Sequence, residues 1–373
     1  MRGSLRLITV RGIDIRLHFT FPLILIWAAL QFGLLAGNLS GAVFGVVAIL
    51  ILFGLVTLHE LGHSFAAQYY DVTVKQIVLS PIGGVAQLSH IPEKPVQEFV
   101  IALAGPAVNL MAALLMALVL LTPVVSLGDP AVVMMGVSGF SLGSLFSFIF
   151  FYNILLGLFN MIPAFPLDGG RIFRSLLAMR LDYVRATQIA AAVGKITAIA
   201  IGIYGLYNGG FFLIFIAFFI YVGATQESNM VQIRSLLRDY TVEDVYSPSV
   251  YRLLPDSTVQ QARNILVYGG QRNFPVADGD LLVGFLTHFD FLRAAQNSVA
   301  HTLIAPFMRK DIKPASFEDD LFLVQQRLIE ERIEALPVVH HGRFMGIITL
   351  QHIAELRRQL STSPSLAIDN HSA

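Results

Sequence analysis

Nearly all the long apolar runs of this 373-residue chain lie before about residue 226, and no other feature narrows its fold as much. A segment that crosses the hydrocarbon layer needs about 20 mostly apolar residues. On that criterion, spans are expected at about 19–37, 41–68, 98–125, 131–160, 186–207 and 210–226. The run at Phe19–Gly37 is long, lacks a small-residue cleavage site and is followed at once by another apolar run, so it reads as a retained helix rather than a signal peptide. The rest of the chain has the composition of a soluble domain. Whole-chain averages carry the same message: the charged share is 13% and the mean hydropathy +0.67, against about a quarter charged in soluble proteins.

The basic residues set the expected orientation. Arg2, Arg6, Arg11 and Arg16, then Lys75 and Lys94, then Arg171, Arg174, Arg180 and Arg185 fall in the N-terminal arm or the even-numbered loops. The odd-numbered loops at 38–40, 126–130 and 208–210 hold no Lys or Arg. Both termini are therefore expected in the cytoplasm, with the chain a multi-pass protein of the plasma or inner membrane and the lipid bilayer its standing partner. Lys195, the one intramembrane cation, reads as snorkelling towards the surface. Lys+Arg and Asp+Glu stand at 25 each, so there is no basic field to attract nucleic acid. With no cysteine, any metal must be held by His, Asp or Glu.

Between the second and third spans, Val72–Leu88 is rich in β-branched residues and punctuated by Pro81, Gly83 and Gly84. It is expected to form a small β-hairpin at the cytoplasmic surface, the alternative being an irregular connector.

Near the end of the second span stands His59-Glu60-Leu61-Gly62-His63. Residues four apart share a helix face, so both imidazoles can point at one zinc ion with Glu60 beside its water. Ionisable side chains at membrane depth cost about 2.5–3.5 kcal/mol each even on lenient scales, so three together call for a compensating ligand. The alternative is hydrogen bonding between helices. A catalytic zinc takes three protein ligands and leaves a place for water. The third candidate is Asp168, which follows the helix-breaking Pro163 and Pro166 and precedes Gly169-Gly170; the alternative is a loop carboxylate paired with Arg171 or Arg174. Asn109 closes Gly105-Pro106-Ala107-Val108-Asn109 at a similar depth, where its amide can donate to an oxyanion or bond between helices.

These motifs, with Asn160 upstream of Pro163, resemble the site-2 protease family of intramembrane zinc metalloproteases over about residues 10–225. The resemblance implies one zinc per chain on His59, His63 and Asp168, Glu60 as general base, and Asn109 and Asn160 holding substrate or transition state. It also implies regulated intramembrane proteolysis of single transmembrane segments, such as anti-sigma factors or membrane-tethered transcription factors. The Val72–Leu88 hairpin resembles the family's β-element that presents the substrate strand.

From about Tyr240 the sequence repeats with an offset of 62: Phe274-Pro275-Val276 matches Leu336-Pro337-Val338, and Val283-Gly284-Phe285 matches Met345-Gly346-Ile347. Each unit reads helix, strand, tight turn, strand, helix. This resembles a tandem pair of CBS domains, and the resemblance implies adenine nucleotide (ATP, ADP or AMP) at a Thr/Ser-x-x-Asp after the last strand. Thr287-His288-Phe289-Asp290 fits that pattern, so Thr287 and Asp290 are the expected nucleotide residues. Thr349-Leu350-Gln351-His352 lacks the Asp. The alternative is a purely structural pair, or one that forms a homodimer.

The expected fold is thus a polytopic α-helical membrane protein of about six transmembrane helices with a small cytoplasmic-side hairpin, joined to an α/β CBS pair. Its divisions are 1–230 for the protease, 241–300 and 301–360 for the repeats, and 361–373 for a disordered tail. The competing functional readings are a CBS-regulated transporter or channel and a catalytically dead scaffold.

Overall fold

The computed structural model describes residues 3–81, 83–88, 94–122, 141–297 and 301–362. It separates into two compact units, Met1–Asn229 and Met230–Ala373.

The N-terminal unit opens with a hairpin of β1 (Ser4–Val10) and β2 (Ile13–His18). Its two-residue turn puts Arg11 at φ 47° and Gly12 at φ 82°, the left-handed pair that matches the twist of an antiparallel ribbon. Helices α1 (Pro22–Ala36) and α2 (Leu39–Tyr69) follow, then β3 (Val74–Ser80) and β4 (Gly83–Leu88). The strands form one sheet in the order β1-β2-β3-β4, with β2 parallel to β3 and the other pairs antiparallel. The expected hairpin is therefore half of a four-stranded sheet. The N-terminal arm supplies the other half, because its alternation of apolar and basic residues is a strand pattern as well as a charge tally. The inner face of the sheet, with Ile13, Ile15, Val74, Ile77 and Leu79, packs on Leu61 and Ala67 of α2.

Next come α3 (Pro95–Leu120), α4 (Leu142–Asn160), α5 (Asp168–Ala178), α6 (Tyr183–Tyr207) and α7 (Phe211–Leu237). Among the described residues, five helices (α2, α3, α4, α6 and α7) are long and apolar enough to cross a membrane. The first expected span is different: α1 has 15 residues, or about 22 Å at 1.5 Å per residue, short of the ~30 Å hydrocarbon thickness. The first residues of the expected 131–160 span, the loop at 126–130 and all but Ser361 and Thr362 of the expected tail lie outside the described residues.

The C-terminal unit carries the duplicated pattern. The first copy runs α8 (Val259–Gly269), β5 (Phe274–Asp278), β6 (Leu281–Leu286), α9 (His288–Asn297). The second runs α10 (Leu321–Glu331), β7 (Ala335–His340), β8 (Arg343–Thr349), α11 (Leu350–Thr362). A parallel bridge from Leu253 to Val276 recurs from Ala315 to Val338, the same offset of 62 expressed in backbone pairing. Each copy has its own core, around Phe274 and Leu286 in the first and Leu336 and Ile348 in the second. Phe285, Ala335, Phe344 and Ile347 form a cluster shared by the two.

Candidate metal centre

Helix α2 brings His59 and His63 onto one face, one turn apart, and α5 begins at Asp168 opposite them. His59 Nε2 lies 3.1 Å from Asp168 Oδ2, His63 Nε2 lies 3.2 Å from the same oxygen, and the two Nε2 atoms are 3.1 Å apart. Donors of a tetrahedral zinc with bonds of about 2.0–2.2 Å stand roughly 3.3–3.5 Å from one another, so this nitrogen and oxygen set fits that ion. It is the one group of three or more His, Asp or Glu side chains among the described residues that is arranged to hold a metal. Asp168 thus faces the histidines, whereas Arg174 pairs with Glu98 and Glu227.

The far nitrogens of both rings are engaged. His63 Nδ1 donates to the carbonyl of Ile101 at 2.7 Å, and His59 Nδ1 donates to Asn109 Oδ1 at 3.2 Å. A ring whose Nδ1–H is so used presents the Nε2 lone pair to the centre, and such partners fix ring orientation. Both partners sit on α3, which approaches α2 closely because glycine allows it. A Cβ on Gly62 would lie 2.9 Å from the Ala104 carbonyl, and one on Gly105 would lie 2.2 Å from His63 Nε2. Pro106 inside α3 has no N–H for the Ala102 carbonyl and loosens the helical ladder beside Ile101.

Asp168 owes its place to the segment before it. Pro163 and Pro166 keep the chain out of a helix between α4 and α5, and Gly169 and Gly170 fold back onto that segment. A Cβ on Gly169 would be 2.3 Å from the Ile162 carbonyl, and one on Gly170 would be 2.6 Å from the Phe165 nitrogen. In the first turn of α5, the carboxylate also stands at the positive end of the helix dipole.

Glu60 lies on the sheet side of the centre, where a Cβ on Gly84 of β4 would come 2.8 Å from its Cγ. Its carboxylate makes no hydrogen bond among the described residues. The outer edge of β4 pairs with nothing further among the described residues, so the strand whose Gly84 faces Glu60 is an edge strand. Asn109 is buried, and its Nδ2 has no partner among the described residues while its Oδ1 holds His59. Asn160 ends α4, half-buried, and its side chain makes no hydrogen bond among the described residues. Two contributors escape a reading of the sequence. One is the Ile101 carbonyl, because a main-chain acceptor has no residue signature. The other is Asn153, fully buried, which donates Nδ2 to the Asn109 carbonyl at 2.8 Å; a polar residue in an apolar helix was its only signal. Lys195 places its Nζ 5.8 Å from the Tyr221 ring centroid, a cation–π contact.

In the C-terminal unit, Thr287 Oγ1 donates to Asp290 Oδ2 at 2.6 Å, and Arg309 Nε donates to the same oxygen at 2.7 Å. A cleft of about 700 Å³ lies between the copies, lined by Tyr251 and Gln271 of the first and by Glu334, Thr349 and His352 of the second. Burial pushes the His352 imidazole below its usual pKa, so it is no cation for a phosphate.

The sequence profile of peptidase family M50 matches residues 47–201, and that of the CBS domain matches 242–297 and 304–358. The chain is 34% identical to the zinc metalloprotease MJ0392 of Methanocaldococcus jannaschii, over 96% of this chain and 99% of that protein. It is 25% identical to stage IV sporulation protein FB of Bacillus subtilis, over 49% of this chain and 56% of that protein. Among solved structures, the site-2 protease from Methanocaldococcus jannaschii aligns at 36% identity with a TM-score of 0.45, covering 60% of this chain and 95% of that one.

Proposed function

The chain belongs to peptidase family M50, the site-2 proteases, and on that premise we propose that His59, His63 and Asp168 hold one zinc ion per chain while Glu60 acts as general base. The enzyme is an intramembrane zinc metalloprotease with a CBS pair, and the transporter reading has no comparable support. The observation that carries the residue assignment is the convergence of three donor atoms, all within 4.8 Å of one another, from two separate helices.

Zinc supplies Lewis acidity, lowering the pKa of water and polarising a carbonyl oxygen. The chain's own residues do the rest. Glu60 accepts the proton of the attacking water and returns it to the leaving amine nitrogen. Asn109 Nδ2, buried and unpartnered, donates to the oxygen on which charge develops. Asn160 holds the substrate chain. The free edge of β4 receives an extended substrate segment through main-chain hydrogen bonds, which sets its peptide bonds beside Glu60. A helical substrate must unwind locally to make those bonds, so helix-breaking residues near the cleavage site favour it.

The substrates are transmembrane segments of single-span proteins, with anti-sigma factors and membrane-tethered transcription factors as the classes. Both termini face the cytoplasm of the plasma or inner membrane. The protease occupies 1–230 and the CBS copies 241–300 and 301–360, with adenine nucleotide taken at Thr287 and Asp290 and a homodimer formed through the pair. The test needs no substrate: about one zinc per chain in detergent-purified protein, reduced in His63→Ala and Asp168→Ala, supports the assignment. A folded wild type that takes up no zinc overturns it.

A further inference from the structure

Helix α3 carries Glu98, Ile101, Gly105 and Asn109 at spacings of three, four and four residues, which is one face of a helix. Two of them hold the histidines of the metal centre, and a third holds Arg174. Asn109 holds His59 and the Ile101 carbonyl holds His63. Glu98 holds Arg174, whose Nε donates to Glu98 Oε1 at 2.9 Å and whose Nη2 donates to the same oxygen.

Arg174 is the largest fully buried side chain described, at 0% exposure. Its Nη1 donates to Glu227 Oε1 of α7 at 2.6 Å. Its guanidinium lies 4.9 Å from the Phe165 ring centroid and 5.0 Å from that of Tyr183. Phe165 is three residues before Asp168 and Arg174 is six after it, so this contact ties together the two sides of the segment that presents the ligand. Helix α7 grips the same segment again: a Cβ on Gly223 would lie 2.5 Å from Pro166 Cδ.

Burying a guanidinium with two carboxylates is an expensive way to join helices, since apolar residues of similar volume are often as stable or more so. What an ion cluster supplies and an apolar one does not is a fixed direction. We propose that Arg174, clamped between Glu98 and Glu227, is the positioning residue for Asp168, and that Glu227 is the point through which α7 sets that position. This rests on His59, His63 and Asp168 being the metal ligands.

The test uses full-length protein in detergent, with zinc affinity measured by chelator competition and the visible spectrum recorded after cobalt(II) loading. The variants are Glu227→Gln and the double change Glu98→Gln with Arg174→Gln, beside Asp168→Asn. In both cluster variants zinc affinity falls by about 10- to 100-fold, the range typical of groups that orient a ligand, and the cobalt bands shift while helical circular dichroism stays as in the wild type. Folded variants with wild-type affinity and spectrum overturn the proposal and leave the cluster a purely structural ion group. If the double variant does not fold, Glu227→Gln, which keeps the Glu98–Arg174 pair, decides alone. If Asp168→Asn leaves zinc affinity unchanged, the metal assignment itself fails, and that failure is distinguishable because it does not involve the cluster.

Discussion

Gly105 lies so close against His63 that a methyl group on it would stand 2.2 Å from Nε2, with His59 Nε2 at 2.7 Å on the same side. Neither ring can yield, because the Nδ1 atoms are held by Ile101 and Asn109. Gly105→Ala is therefore expected to displace the imidazoles and weaken zinc binding on the order of 100-fold, the upper end of effects on ligand orientation. Metal analysis after dialysis against a weak chelator checks this, with helical circular dichroism as the control for folding.

Glu60→Gln separates holding the metal from using it. The variant is expected to keep about one zinc per chain and to lose cleavage by about 100- to 10,000-fold, the range for a general base. Metal content and a gel assay on a membrane-embedded substrate measure the two properties independently.

Chelation should follow the metal alone. Removal of zinc from the wild type is expected to abolish cleavage, and added zinc to restore it, because the fold itself brings the three ligands together. Cleavage that persists in protein shown to be metal-free would sink the zinc assignment.

Asn109 has two tasks in this reading, one for each end of its amide. Asn109→Ala is expected to lower zinc affinity by about 10-fold through His59. At saturating zinc, cleavage should still be about 100-fold down through loss of the oxyanion donor. If saturating zinc restores full cleavage, Nδ2 has no part in the chemistry.

For the CBS pair, Asp290→Ala is expected to reduce binding of AMP, ADP or ATP at least about 10-fold, since it removes a charged hydrogen-bond acceptor. His352→Ala should leave binding unchanged. Calorimetric titration of the full-length protein separates these outcomes, and the reverse pattern would move the nucleotide to the cleft between the copies, beside His352.

The parts of this site that could be read from the sequence are those in which spacing is itself the signal. His59 and His63 four apart, with Glu60 between them in a helix that otherwise excludes charge, leave little else for the pair to do. Asp168 was legible because the prolines before it and the glycines after it break the helical pattern. The N-terminal hairpin was not, because Arg6, Arg11 and Arg16 answer to a rule about membrane orientation as readily as to a strand alternation. Arg174 was hidden for the same reason, lying among Arg171, Arg180 and Arg185. Its partners Glu98 and Glu227 stand 76 and 53 residues away in sequence, and only folding reveals that they meet.

The unpaired edge of β4 has one more consequence. Main-chain N–H and C=O groups are common to every polypeptide, so an edge that binds them cannot tell one sequence from another. If the edge receives substrate as proposed, the proteolytic step is indifferent to most side chains, and selection falls on admission: which segment is loose enough to reach the edge, and when. An enzyme built this way is governed by its doorway more than by its blade.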